Sequence, residues 1–268
     1  MIPVLVFDIE TIPDVAGLRK VWNLSDEVSD QGVVDLVTQR RRQATGSDFL
    51  PAHVQRVVAI SCVLRSGDED VRAWSLGAVE DDERSVVARF FDGIERYKPQ
   101  LVSWNGSGFD LPVLHYRALF HGIPACCYWD TGDNDREFKF NNYLSRFHAR
   151  HTDLMDVLAG YQNRAFAPLD EIAQLCGLPG KLGMDGSQVY DAYKRGEIEA
   201  IRSYCETDVA NTYLLFQRFQ LIRGVIDAGG YDREMALFRD WLATQSAPHW
   251  REFAAAWKVP EGKQGSLL

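Results

Sequence analysis

Asp8 and Glu10 stand two residues apart at the end of an apolar run, Pro3 to Ile9. On a strand, residues i and i+2 project from the same face. Two like charges at the end of a buried strand repel unless a cation neutralises them, and a divalent metal is the simplest such cation. The competing reading is a solvated strand end. Asp110 follows Phe109, just past a strand and the turn Asn105-Gly106-Ser107-Gly108. It heads a helix, where the macrodipole alone favours an acid, so a capping role competes with a functional one. Asn105 shares that ambiguity, because Asn-Gly is ordinary turn chemistry. Tyr204 and Asp208 are four apart in a helical stretch and therefore share a face. Their neighbours Ile201, Cys205, Leu214 and Leu215 make that face partly buried, and a buried acid wants a partner. Together these are carboxylates that can share hard cations, with a phenol one helical turn from the last of them.

The elements that must position these groups are strands early and helices late. Residues 3–9 read as a buried strand, closed by the turn residues Thr11-Ile12-Pro13-Asp14. Residues 14–50 are polar with scattered apolar positions and read as a helical insertion of one or two helices. Val57–Leu64 and Asp70–Leu76 read as a hairpin across Ser66-Gly67-Asp68. A helix over 81–97 is stopped by Pro99, Leu101–Trp104 is a fourth strand, and a helix runs from Phe109 to about Gly122. A short strand is expected near 148–152. From Leu154 the chain reads as helical: 154–161, 169–176, 187–195 and a long helix over 197–223. A helical tail follows over 224–258, and 261–268 is expected to fray. Strands followed by helices, with no linker or repeat, give an α/β fold and a single domain over 1–268.

Composition narrows the function. The 268 residues are 46% hydrophobic and 25% charged, ordinary globular proportions that exclude wholesale disorder. The net charge of −9 excludes nucleic-acid binding by bulk charge, so any such binding must be local or metal-mediated. Five cysteines with no C-x-x-C pair fit reduced thiols in a cytoplasmic protein. No apolar run reaches the ~18 residues of a membrane span, so no membrane partner is expected.

Phe7-Asp8-Ile9-Glu10-Thr11, Trp104-Asn105-Gly106-Ser107-Gly108-Phe109-Asp110-Leu111-Pro112 and Tyr204-Cys205-Glu206-Thr207-Asp208 resemble three known motifs. They are those of the DnaQ-like (DEDD) 3′→5′ exonucleases, and the tyrosine four before the last aspartate marks the tyrosine subgroup. The Asn-Gly-x-x-Phe-Asp-Leu-Pro wording and His151-Thr152-Asp153-Leu154-Met155-Asp156 are similar to the exonuclease domain of family B DNA polymerases. The resemblance is nearest to stand-alone predicted exonucleases related to that domain, and spans roughly residues 3–220.

The resemblance implies a ribonuclease H-like fold with a five-stranded mixed sheet flanked by helices. It implies hydrolysis of phosphodiester bonds from the 3′ end of single-stranded nucleic acid, DNA before RNA, with two Mg²⁺ or Mn²⁺ ions ~3.5–4 Å apart. Asp8 would bridge both ions. Glu10 and Asp208 would bind the ion holding the attacking water, and Asp110 would hold the leaving-group ion. Tyr204 would orient that water. Thr11, Ile12, Asn105 and Phe109 would contact the terminal nucleotide, with core packing the rival reading for Ile12. Two divalent ions would cancel the four carboxylate charges and present cations to a phosphate. The chain departs from the polymerase pattern in showing no clear stretch for a long hairpin. It also lacks a polymerase domain, so it is expected to act alone or in trans with replication or repair proteins. The alternatives are an exoribonuclease on the same site and a non-catalytic nucleic-acid-binding module.

Weaker features are read alongside. Arg40-Arg41-Arg42 either grips a phosphate backbone or forms a solvated helix face. Tyr128, Trp129 and Tyr143 either stack bases or pack in the core. His151, Asp153 and Asp156 are expected to be structural or to support the site.

Overall fold

The computed structural model describes residues 2–67 and 69–257. Asp68 of the expected hairpin turn, and the tail from residue 258, lie outside the described residues.

The first strand, β1 (Val4–Pro13), is the centre of the sheet. It pairs antiparallel with β2 (Gln55–Ser66), which pairs antiparallel with β3 (Asp70–Ser75). On its other side it pairs parallel with β4 (Gln100–Ser103), which pairs parallel with β5 (His151–Asp153). The five strands run in mixed directions, as expected of the ribonuclease H-like sheet, and their order is β3-β2-β1-β4-β5. A central strand covered on both faces needs apolar residues throughout rather than alternation, and Leu5, Val6, Phe7 and Ile9 supply them.

One expectation about β1 fails. Thr11-Ile12-Pro13 is strand, not turn. A register shift between Glu10 and Thr11 lets pairing to β2 continue, with Thr11 opposite Val57 and Pro13 opposite Gln55. Proline is tolerated there because β1 pairs with β4 only over Val4–Val6, so the far end has a free edge.

Between β1 and β2 the insertion folds into α1 (Val15–Trp22) and α2 (Asp30–Thr45). They close on a small core of their own: Leu18, Val33, Val34, Val37, Leu50 and Val54. Under one face of the sheet lie α3 (Glu83–Tyr97), α4 (Asp110–His121) and the short α5 (Cys126–Trp129). They meet Leu5, Phe7 and Ile9 through Phe90, Phe91, Ile94 and Leu114. Tyr128 and Tyr143 are buried in this core, while Trp129 stays half exposed. After β5 come α6 (Leu154–Leu158), α7 (Leu169–Leu175), α8 (Val189–Lys194) and the long α9 (Ile198–Ile222). The tail forms α10 (Ala228–Ala243) and α11 (Pro248–Ala256). α9 crosses the opposite face, where Val6, Val63 and Val102 meet Val209, Tyr213 and Phe216. Phe238, Trp250, Phe253 and Trp257 join the same cluster, so the tail helices extend the packing on this face. No helix among the described residues is long and apolar enough to cross a membrane, and all five cysteines are unpaired.

Candidate active site

Strand alternation separates the two sides of β1. Leu5, Phe7 and Ile9 enter the core beneath α3 and α4, whereas Val6 packs under α9. Asp8 and Glu10 share the parity of Val6 and therefore face α9. That helix carries Tyr204 and Asp208 one turn apart. Ile12, Ala59, Ile201, Tyr204 and Cys205 form the apolar patch that holds this end of α9 on the sheet. Ile12 is 3% exposed, so it is core and presents no face to a ligand.

Asp110 reaches the site from the other side. Beyond Val6 the β1 edge has no β4 partner, and the Asp110 Oδ1 fills the gap by accepting the Ile9 N–H at 3.1 Å. The loop leading to Asp110 is built for this. Ser103 ends β4, and a Cβ on Gly106 would lie 2.3 Å from its Oγ, so only glycine fits. Asn105 takes a left-handed φ of 65°, which asparagine tolerates. Its carbonyl accepts from the Gly108 and Phe109 N–H groups, each at 3.0 Å. Asp153 fixes the loop from below: its carboxylate accepts from the N–H of Asn105 at 2.9 Å and Ser107 at 2.8 Å, and caps α6 through Met155 and Asp156. Its expected supporting role thus has a concrete form. His151 bonds Ser103 Oγ at 2.8 Å, and burial pushes its pKa down to about 4, so it is neutral.

The result is an acidic pocket with little solvent to screen it. Glu10, Asp110, Tyr204 and Asp208 are buried and Asp8 is half-buried. Burial, reinforced by Asp110 and Asp208, holds the Asp8 carboxyl well above its ordinary range. Burial and then Asp8, Asp208 and Asp110 do the same to Glu10. Burial raises Asp110 to about 7 and Asp208 to about 6. The Tyr204 phenol is pushed far above its usual value by burial and then by Asp208, Glu10 and Asp8, so it keeps its proton. The Asp208 Oδ1 is buried without any hydrogen-bond partner. An orphaned, negatively charged oxygen among three other carboxylates is what a hard cation would satisfy, so these four side chains fit divalent metals.

Two further residues complete the surroundings, and neither carries a spacing signal in the sequence. Cys205 Sγ lies 3.4 Å from the Asp8 carbonyl oxygen and 3.5 Å from Asp8 Oδ2. The donor atoms of Asp8, Glu10 and Cys205 lie within 4.8 Å of one another. Burial raises the Cys205 thiol, so it stays protonated and donates to Asp8. Lys181, on the loop before α8, is the cation that opposes the raised pKa values of Asp8, Glu10 and Asp208. Its Nζ sits 5.6 Å from the Tyr204 ring centre. Asn211 on α9 holds that loop by bonding both the N–H (3.1 Å) and the carbonyl (2.9 Å) of Gly180.

Arg41 and Arg42 of the basic run are engaged locally. Arg42 pairs with Asp48, and Arg41 Nε donates to the Phe49 carbonyl, so both brace the turn into β2. Thr11 Oγ1 donates to Gln55 at 3.2 Å.

Carboxylates and a tyrosine gather where the central strand of the five-stranded sheet loses its partner, and the family match makes the chain an enzyme of the 3′–5′ exonuclease class. A family model covers residues 47–257, and the chain belongs to that family: predicted 3′–5′ exonucleases related to the exonuclease domain of PolB. Asp110, Tyr204 and Asp208 fall inside the match, and Asp8 and Glu10 precede it. Among curated proteins, a DNA polymerase of Archaeoglobus fulgidus is 26% identical over 162 residues, 59% of this chain and 19% of the polymerase. A catalytic subunit of DNA polymerase epsilon from Dictyostelium discoideum is 26% identical over 145 residues, 52% of this chain and 6% of that protein. The chain therefore spans under a fifth of either relative. A solved family B DNA polymerase from Pyrobaculum calidifontis aligns with 95% of this chain and 27% of its own, at 18% identity and a TM-score of 0.49.

Proposed function

We propose that the protein removes nucleotides from the 3′ end of single-stranded nucleic acid, DNA before RNA, using two divalent ions held by Asp8, Glu10, Asp110 and Asp208. The observation that carries this is the buried, cation-poor acidic pocket, with all four carboxyls raised and the Asp208 Oδ1 unpartnered. Bound Mg²⁺ or Mn²⁺ would supply a water acidic enough to attack near neutral pH and would stabilise the leaving 3′ oxygen.

The chain's own residues do the rest. Asp110 has one oxygen committed to the Ile9 N–H, which fixes its carboxylate on the strand that carries Asp8 and Glu10. Tyr204 keeps its proton, so its hydroxyl positions a water by hydrogen bonding and is not the base. The Lys181 ammonium faces the carboxylates and would meet a phosphate entering beside them.

The test is a gel assay of 3′-labelled and 5′-labelled DNA and RNA oligonucleotides, with Mn²⁺ and with chelator. Stepwise shortening of the 5′-labelled strand, immediate release of the 3′ label, and silence in chelator are expected. Hydrolysis that persists in excess chelator would sink the metal-dependent reading. Faster cleavage of RNA than DNA would replace the substrate preference.

A further inference from the structure

The insertion between β1 and β2 ends at the mouth of the acidic pocket. A cavity of about 370 Å³ there is lined by Glu10, Thr11, Phe109 and Ser187 and, from the insertion, by Phe49. Phe49 is 58% exposed. Its centre lies 5.2 Å from that of Phe109, at an interplanar angle of 59°.

The backbone beneath this ring is tied at several points. The Phe49 carbonyl accepts from Arg41 Nε, and its N–H donates to Ser47 Oγ at 3.2 Å. Leu50, the next residue, is buried in the insertion's own core. Its carbonyl accepts from Gln55 Nε2 at 3.1 Å, and the same Gln55 amide accepts from Thr11. A large apolar ring held in water on a pinned backbone gains little from packing. Its placement on a cavity that Glu10 also lines is what gives it a use.

We propose that Phe49 is a stacking platform for one base near the 3′ end of the bound strand, backed by Phe109 and delivered by the helical insertion. This rests on the nucleic-acid reading above. The tilted contact between the rings leaves no slot between them, so the base lies on the outward face of Phe49. A base must leave its neighbours in a duplex to lay a face on such a platform, and every base has a π-face, so the site favours single strands with little sequence preference. Such a platform is worth roughly tenfold in affinity, toward the low end for one base–aromatic stack because the ring is open to water.

The experiment measures oligonucleotide affinity by fluorescence anisotropy in Mn²⁺, in the Asp8→Ala background so that the strand stays intact. Single abasic positions are placed in turn at the last four nucleotides. Phe49→Ala should weaken the full strand about tenfold, and Phe49→Trp should restore it. One abasic position should weaken binding to the Phe49-bearing chain by a similar factor and make the Phe49→Ala change silent. In the parent chain Phe49→Ala should raise KM about tenfold with a smaller change in kcat. If the parent hydrolyses strands but Phe49→Ala leaves Kd and KM unchanged, or if every abasic position is equally sensitive to Phe49→Ala, the platform is wrong and the nuclease reading stands. If the parent neither binds nor hydrolyses any strand, both fall.

Discussion

Replacing Asp208 by asparagine should make the metal-free protein more stable at alkaline pH, not less. Burial holds this carboxyl at about 6, against an ordinary 3.8. At about 1.36 kcal/mol per pH unit, keeping it ionised in the fold costs on the order of 3 kcal/mol. The amide that Asp208→Asn introduces would place an N–H₂ where the Oδ1 now has no partner, which costs about 1–2 kcal/mol. The expected net gain in chelator at about pH 8 is therefore about 1–2 kcal/mol. The sign follows from linkage. Between 3.8 and about 6 the folded wild type binds more protons than the unfolded chain, so its stability falls as pH rises through that window. Asparagine does not titrate, so the variant's advantage should vanish, or turn into a deficit, below about pH 4. Urea denaturation at both pH values measures this. Saturating Mn²⁺ should reverse the order, because the wild type binds the ion more tightly and gains more from it. A variant less stable than wild type at alkaline pH in chelator would show that Asp208 is a structural partner in the fold and not a charge awaiting a cation.

Tyr204→Phe removes a protonated hydroxyl and leaves all four carboxylates. Single-turnover cleavage across a Mn²⁺ titration should fall about 10²-fold, the low end for a positioning group, with the metal midpoint unmoved; Asp208→Asn should shift that midpoint. Asp153→Ala strips the acceptor from the Asn105 and Ser107 N–H groups, so thermal denaturation should report a loss of about 2–4 kcal/mol. Asp153→Asn, which keeps one acceptor oxygen, should fall between. Arg117→Met should cost about 3–5 kcal/mol in urea denaturation, since buried Arg117 bonds both Glu83 and Asp14 and would leave two carboxylates without their cation. Double substitution with Glu83→Gln should recover part of that loss. A loss no larger than that of an exposed arginine would show that neither carboxylate depends on Arg117.

What could be read from the sequence was whatever lies within one element. Asp8 and Glu10 share a face by strand parity, Tyr204 and Asp208 by helical period, and both pairs stand where those rules put them. The five-stranded mixed sheet, by contrast, followed from the resemblance rather than from local pattern, and the strand order came only with the structure. Thr11-Ile12-Pro13 reads as a turn because β-ladder membership at those positions depends on a register shift against β2, which no local composition encodes. Lys181 escaped for a similar reason. It sits in a glycine-bearing loop with nothing unusual about it, and long-range contacts such as the one from Asn211, 31 residues from Gly180, hold that loop at the pocket. Phe49 was hidden by the same kind of distance, because its neighbour Phe109 belongs to a different motif. The stretch 124–152 was hard to read because little of it is regular. Side-chain caps such as Asp130, which accepts from the N–H groups of Gly132, Asp133, Asn134 and Asp135, shape it.

The position of the pocket has a topological cause. β4 pairs with β1 over only three residues, so from Phe7 onward one edge of the central strand is uncovered. An uncovered edge in a buried strand leaves backbone groups to satisfy. In this chain the Ile9 N–H is satisfied by a carboxylate, Asp110, instead of by another strand. The same hydrogen bond sets one acid beside two others and ties a loop from the far side of β4 to β1. The energetic conflict in the pocket is thus built into the sheet: the bond that completes the ladder also brings like charges together. Among the described residues, the Lys181 ammonium and the Cys205 thiol oppose that conflict at Asp8. Both are too weak to bring any of the four carboxyls back to its ordinary range. A fold that uses its central strand this way holds its acids by backbone geometry. Their arrangement therefore does not depend on the cations that would neutralise them, and a cation would find it already formed.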